Sequence, residues 1–173
     1  MDDSDILAKH PPIEPISRLL WTALVDVAER IDLGPSPSGH RFMVPIIGGR
    51  FEAGPGIEGL SGVVLAGGAD RQVLRSDGVK ELDALYEMQT DDGAVLTIRN
   101  RVIVDESRVP DRYAMSVISV TAPKGPHDWL NRRLVLGTLQ SARPERAAVI
   151  VRAWEADARP GATAGAGLPS SDG

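Results

Sequence analysis

The 173-residue chain contains no cysteine, which excludes disulfides, thiolate nucleophiles and cysteine-ligated zinc or iron–sulfur sites. Aromatic residues make up 4% of the chain, too few to predict a platform on which bases or sugars stack. Positive charge is also scarce, because 24 acidic residues face 19 basic ones and the formal net charge is −5. Nucleic acids are bound by clustered positive charge, so we expect no nucleic-acid partner.

Long apolar runs are missing as well. No segment approaches the roughly 20 apolar residues that a membrane-spanning helix needs. The first residues, Met1-Asp2-Asp3-Ser4-Asp5, are acidic, whereas a secretory signal begins with positive charge before an apolar stretch. We therefore predict a soluble, cytoplasmic protein without a membrane partner.

Composition divides the chain into three parts. Residues 1–17 contain three prolines and no hydrophobic period, which predicts an N-terminal arm. Residues 157–173 are mostly Gly, Ala, Ser and Pro, which bury too little apolar surface to offset the entropy of ordering, so we predict a disordered C-terminal tail. Residues 18–156 form a single domain, long enough to bury a substantial core.

This domain consists of short segments with period-two alternation. In the clearest, Ala94–Val104, one face carries Ala94, Leu96, Ile98, Asn100 and Val102. Further predicted strands are His40–Ile47, Gly59–Ala66, Arg71–Arg75, Lys80–Thr90, Arg112–Val120, Arg132–Leu139 and Ala147–Ala156. Asp77-Gly78 and Asp92-Gly93 suit hairpin turns. So many strands without alternating long helices predict an all-β antiparallel barrel or sandwich. The period of Leu19–Leu33 fits a helix and a strand equally well.

Two patterns typical of cofactor sites lack the context they need. Gly54–Gly59 satisfies G-x-G-x-x-G, but Leu60–Leu65 follows it and predicts a strand, not the helix that holds a pyrophosphate. The spacing of His10, His40 and His127 does not indicate a metal site. We therefore expect neither a cofactor nor a metal.

The segment Gly67–Gln72 is the first candidate site. Two glycines, which permit a bend or a close approach, precede a carboxylate, a guanidinium and an amide. The functional interpretation places Asp70 in a barrel as an acid or base, with Arg71 orienting an anionic or hydroxylated ligand. Taken alone, the motif favours the alternative, a glycine bend in which Asp70 binds nearby backbone amides.

The strand Lys80–Thr90 is the second candidate. Asp83 lies on its polar face, opposite Tyr86, and Arg99 on the next strand is a possible partner. If the polar face lines a cavity, burial raises the pKa of its carboxyls and makes them candidate acids or bases. The alternative is a solvated outer surface, the default for a polar face. Trp129-Leu130-Asn131 is predicted to form a hydrophobic plug with an amide beside it.

These stretches resemble the family called domain of unknown function 3237. The same family is also catalogued as an uncharacterised protein family. The resemblance covers about residues 18–156. The matching residues are Val44–Glu52, Gly67–Asp70, Asp77-Gly78, Leu82-Asp83, Thr90–Ala94 and Trp129–Asn131. It implies a single-domain lipocalin-like β-barrel and predicts strand for Leu19–Leu33. Many relatives carry Trp after Gly-Gly-Ala-Asp, where this chain has Arg71; if that position faces the cavity, a more polar or anionic ligand is implied.

The resemblance also implies cofactor-free chemistry, because a few similar proteins are associated with natural-product or aromatic catabolic reactions. Our leading hypothesis is therefore an acid/base isomerase, cyclase or lyase acting on an oxygenated, possibly aromatic metabolite. The expected catalytic residues are Asp70 and Asp83, and the expected substrate-binding residues are Arg71, Arg99, Asn131, Trp129 and Tyr86. The alternative is a non-catalytic lipocalin-like carrier or sensor of an apolar metabolite. The sequence also allows a homodimer.

Overall fold

The computed structural model describes residues 2–158, and most of this part of the chain is β-strand. Two short helices occur in it, α1 (Asp3–Lys9) and a 3₁₀ helix (Asp128–Arg132). The strands are β1 (Ile16–Val27), β2 (Ile31–Ser36), β3 (Gly39–Ala53), β4 (Gly62–Val64), β5 (Ala69–Leu74), β6 (Lys80–Thr90), β7 (Val95–Asp105), β8 (Tyr113–Thr121), β9 (Leu134–Ser141) and β10 (Ala148–Asp157).

The strands form a closed antiparallel barrel of eight positions. From β1 the order runs through β10, β9, β8, β7 and β6. The next position is shared by β4 and β5, which lie end to end between β6 and β3. β3 then pairs with β1 and closes the ring. Closure removes most of the exposed strand edges. It also shows that the fold is a barrel and not a sandwich.

The uncertain segment Leu19–Leu33 is strand, in agreement with the family resemblance. It comprises most of β1 and the start of β2. Trp21, Ala23 and Val25 alternate into the core. A register shift between Leu19 and Trp21 in the pairing with β10 allows Leu20 to be buried as well. The bulge mixes two periods, and for this reason periodicity alone did not distinguish strand from helix.

The predicted turns are confirmed. Gly78 and Gly93 end the β5–β6 and β6–β7 turns with φ of 84° and 90°, which glycine adopts without strain. The G-x-G-x-x-G match, Gly54–Gly59, lies in the loop between β3 and β4 and leads into a strand. It therefore lacks the helix that binds a pyrophosphate.

The ends of the chain differ in part from the predictions. The predicted irregular arm contains α1, whose first turn is capped by reciprocal hydrogen bonds between Asp2 and Asp5, although no residue of α1 is buried. β10 extends to Asp157, the first residue of the predicted tail. The remainder of that tail, residues 159–173, lies outside the described residues. In residues 2–158, no helix is long and apolar enough to cross a membrane.

The two ends of the barrel are filled differently. We call the end with the β1–β2, β5–β6, β7–β8 and β9–β10 connections the mouth, and the opposite end the floor. Large buried side chains fill the floor: Trp21, Phe51, Leu60, Met88 and Leu130. Leu130 comes from the 3₁₀ helix, and this contact confirms the predicted hydrophobic plug. The mouth half contains a cavity instead.

Candidate functional site

The cavity has a volume of about 380 Å³, near the lower end of the range for small-molecule sites. Its wall consists mostly of valine, leucine, isoleucine and alanine side chains from β1, β3, β6, β7, β9 and β10. Glu29, Arg30 and Arg143, from the β1–β2 and β9–β10 connections, line its outer part and are exposed. The cavity therefore opens at the mouth.

Four polar side chains line this apolar wall: Asp70, Gln72, Tyr86 and Asn100. Strand register explains their position, because Asp70 pairs with Ala84, which pairs in turn with Asn100. Side chains of directly paired residues lie on the same face, and alternate residues of a strand share that face. Gln72 and Tyr86 consequently face inwards together with them.

Asp70 is the titratable group at the centre of this cluster. Its Oδ2 accepts a hydrogen bond of 2.7 Å from the Gln72 amide. Its Oδ1 is buried and has no hydrogen-bond partner among the described residues. Burial raises the pKa of the Asp70 carboxyl, and the hydrogen bond from Gln72 opposes this shift. The carboxyl therefore binds a proton more readily than an exposed aspartate does.

Two further polar groups of the cluster lack partners within residues 2–158. The Tyr86 hydroxyl and the Asn100 Oδ1 are both buried without a hydrogen bond. Burial, followed by the charge of Asp70, raises the pKa of Tyr86, which keeps its hydroxyl protonated. Most buried polar groups in proteins are paired, and an exception calls for an explanation such as a catalytic role or a bound water. This cluster is suited to binding a polar group of a ligand.

Gly68 brings the backbone close to Tyr86. A Cβ on Gly68 would lie 2.5 Å from the Tyr86 Cβ and 2.6 Å from the Leu85 carbonyl oxygen. Only glycine allows this approach, as the Gly-Gly motif predicts. Asp70 itself is the second residue of β5 and not part of a turn. Asp70 therefore follows the glycine bend and lies in the strand itself.

Three of the predicted site residues lie on the outer surface. Asp83 accepts hydrogen bonds from Arg99 Nε at 2.9 Å and from Nη2 at 2.7 Å. The bond from Arg99 lowers the pKa of Asp83, opposite to the direction expected for a buried acid. Arg71 is exposed, and its guanidinium lies 3.5 Å from the Met43 sulfur. Arg71 therefore does not meet the condition under which the family comparison implied a more polar or anionic ligand, because residues adjacent to inward-facing Asp70 point outwards.

Trp129 and Asn131 lie at the floor, away from the cavity lining. Trp129 packs against the core, with the Arg133 guanidinium 5.9 Å from the centre of its ring. The Asn131 amide binds the backbone N–H and C=O of Ala122 at 2.9 and 3.0 Å, and the Asp128 carbonyl at 3.0 Å. Of the seven predicted residues, Asp70 and Tyr86 are therefore the two that line the cavity, and Asp83 and Arg99 meet outside it.

Sequence reasoning missed five polar lining residues: Glu29, Arg30, Gln72, Asn100 and Arg143. A signal for Asn100 was available, because it is the one polar residue on the apolar face of Ala94–Val104. Gln72 lies two residues after Asp70 and therefore points to the same face of the strand. Arg30 and Arg143 lie in connections, whose place around the barrel depends on the closed topology. Within residues 2–158, no group of three or more His, Asp or Glu side chains is placed to hold a metal ion.

Fold and site together define a β-barrel protein with a ligand-sized internal cavity. The family model for proteins of unknown function, DUF3237, matches residues 15–156, and the chain belongs to this family. It is 36% identical over 84 residues to a UPF0311 protein of Rhodopseudomonas palustris strain TIE-1, an alignment of 49% of this chain and 52% of that protein. The chain spans about half the length of the curated relatives it matches.

Solved structures share the fold. A beta-barrel like protein from Acinetobacter baumannii AYE superposes with a TM-score of 0.73 and 25% identity, covering 86% of this chain and 99% of that chain. A structure described as an enzyme from Penicillium herquei superposes with a TM-score of 0.66 over 85% of this chain and 98% of that chain. Its identity is 22%, so this likeness concerns the fold alone.

Proposed function

We propose that this barrel binds a small oxygenated metabolite and catalyses a cofactor-independent isomerisation, cyclisation or elimination in which Asp70 transfers the proton. The supporting observation is the Asp70 carboxyl in the wall of an apolar cavity, whose buried Oδ1 has no hydrogen-bond partner among residues 2–158. A carrier has little reason to place such a group there, because a buried polar atom without a partner is costly. An acid/base catalyst requires one.

The roles of the other polar groups follow from their chemistry. The Tyr86 hydroxyl stays protonated and would donate a hydrogen bond to a substrate oxygen. The Asn100 Oδ1 would accept one from a substrate hydroxyl. Gln72 holds Asp70 Oδ2 in place, leaving Oδ1 for the reacting proton. The apolar side chains would enclose the carbon skeleton of the substrate.

Proton transfer through Asp70 balances without a co-reactant. In a cyclisation, the carboxylic acid would donate its proton to an alkene carbon while a substrate hydroxyl oxygen forms the new C–O bond. That oxygen would then return its own proton to the carboxylate. Isomerisation and elimination likewise remove a proton from carbon and return one, to another carbon or to the leaving group.

The test is turnover of a library of oxygenated aromatic metabolites, followed by mass spectrometry and retention time. Asp70→Asn should reduce conversion by about 100-fold or more, the usual loss for a general acid/base. Asp83→Asn is the matched control, because it removes a carboxylate that lies outside the cavity only 13 positions further along the chain. It should leave conversion unchanged.

Two results would contradict the proposal. Conversion by folded Asp70→Asn at the wild-type rate would remove Asp70 from the chemistry. Retention of library compounds without any conversion would favour the carrier alternative. One observation supports that alternative, namely the predominantly apolar lining of the cavity.

A further inference from the structure

We infer that the ligand of this cavity carries a carboxylate at the end near the mouth, where Arg30 and Arg143 bind it. This inference rests on the proposed function and adds the chemical class of the substrate. The two arginines come from different connections, and both line the cavity. They offer fixed positive charge at the mouth, opposite the polar cluster further inside.

Position sets these two arginines apart, because among the arginines of residues 2–158 they alone line this cavity. Some other arginines form ion pairs with carboxylates, among them Arg18, Arg75, Arg99, Arg133 and Arg146. Arg30 and Arg143 form no ion pair and no side-chain hydrogen bond within the described chain. The Arg30 guanidinium stacks instead over the Phe42 ring, with Cζ 4.1 Å from its centre. Stacking orients the guanidinium plane and leaves its N–H groups available.

Neighbouring carboxylates form no ion pair with these two arginines. Glu29 also lines the cavity, but within residues 2–158 no ion pair joins it to either arginine. Asp32 lies within electrostatic range of Arg30, yet its carboxylate binds Gly34 N–H and the His40 ring at 2.7 Å each. The guanidinium donors therefore remain free for a planar oxyanion, which an arginine binds with two parallel hydrogen bonds.

The cavity limits the rest of the ligand. A volume of about 380 Å³ suits a compound with one or two rings. Its apolar wall matches an aromatic or alicyclic body, and Asp70, Tyr86 and Asn100 match a hydroxyl or carbonyl group at the inner end. The ligand class is a ring-containing carboxylic acid with an oxygen substituent remote from the carboxylate.

Matched pairs of probes test this inference by isothermal titration calorimetry. The probes are 4-hydroxybenzoate, 4-hydroxyphenylacetate and 3-(4-hydroxyphenyl)propanoate, each beside its neutral primary amide. For the acid of best-fitting length, we expect the wild type to bind the acid about 10-fold or more tightly than its amide, since hydrogen bonds to an ionised partner are stronger than those between neutral groups. Arg30→Gln and Arg143→Gln should each weaken binding of the acid by about 5-fold or more and leave that of the amide unchanged.

Arg101→Gln is the control, because Arg101 is also exposed and forms no ion pair with the carboxylates of residues 2–158, but lies on the outer face of the barrel. Equal affinity for acids and amides, the same loss in Arg101→Gln, or no binding of any acid at millimolar concentration would overturn the inference.

Asp70→Asn separates this inference from the proposed chemistry. If Asp70→Asn binds acids more tightly than amides and also turns substrate over at the wild-type rate, only the proposed role of Asp70 in proton transfer is contradicted. If the wild type converts neutral compounds in an Asp70-dependent reaction and shows no preference for acids, only the carboxylate inference fails.

Discussion

At the residue scale, two aspartates in similar sequence contexts differ in which face of the strand they occupy. Asp70 and Asp83 both follow an apolar residue within a family motif. Asp70 faces inwards, where burial raises its pKa, and Asp83 faces outwards, where Arg99 lowers its pKa. The sequence predicted both as acids or bases, because alternation gives two faces without saying which one is inside.

The raised pKa of Asp70 predicts that Asp70→Asn stabilises the protein at pH 7. A pKa that is higher in the folded state gives stability that is complete below the unfolded value, about 3.9, and is lost as the pH rises through the folded value. Asn does not ionise, so it avoids this loss. The gain in free energy of unfolding should fall in the ~0.5–2 kcal/mol range typical of stabilising substitutions. Thermal unfolding from pH 4 to 8 should show this difference shrinking towards pH 4.

Asp83→Asn is the control, because the expected change in its free energy of unfolding at pH 7 has the opposite sign. The lowered pKa of Asp83 gives stability that is present above its unfolded value and lost as the pH falls through the folded value. The pair with Arg99 is exposed on both sides, so the variant should lose less than about 1 kcal/mol at pH 7. Destabilisation of both variants at pH 7 would argue against a burial cost at Asp70.

At the element scale, the connection between β8 and β9 serves the fold. Its 3₁₀ helix places Leu130 in the floor. Asn131 ties the end of this helix back to Ala122 by two hydrogen bonds. Most strands from β4 to β10 were predictable to within about three residues, because alternation and Asp-Gly turns are local signals, whereas β3 runs six residues past the predicted His40–Ile47. The role of Asn131 was not, since an exposed amide beside a tryptophan suits a loop contact and a ligand contact equally well.

Asn131→Ala should therefore reduce stability and leave ligand binding intact. Three hydrogen bonds to backbone groups are lost, and we expect a cost of about 1–3 kcal/mol in the free energy of unfolding. Chemical denaturation measures the cost, and titration with the phenolic acids measures affinity. A substrate-binding role, as expected from the sequence, requires the reverse pattern of full stability and weakened binding.

At the scale of the whole molecule, the barrel separates stability from binding. The floor half is packed with large side chains, among them Trp21, Phe51 and Met88. The mouth half contains the cavity and its unpaired polar groups. No local pattern predicts this division, because it arises from which strand ends meet when β1 pairs with both β10 and β3. Closure also brings Arg30 and Arg143 to one cavity from distant parts of the chain.

The division predicts uneven hydrogen exchange along a single strand. β6 is paired with β7 at residues 80–89 and, on its other side, with β5 at residues 80–85 and with β4 at residues 88–90, so differences between these two ends reflect packing and not missing strand pairing. Amides of residues 88–90, near the floor, should exchange about 10-fold or more slowly than those of residues 80–84, because well-packed regions open less often. A bound phenolic acid should slow exchange in residues 80–84 and leave residues 88–90 unchanged, since ligand binding stabilises the structure it contacts. Uniform exchange along β6 would show that the barrel opens as one unit despite its cavity.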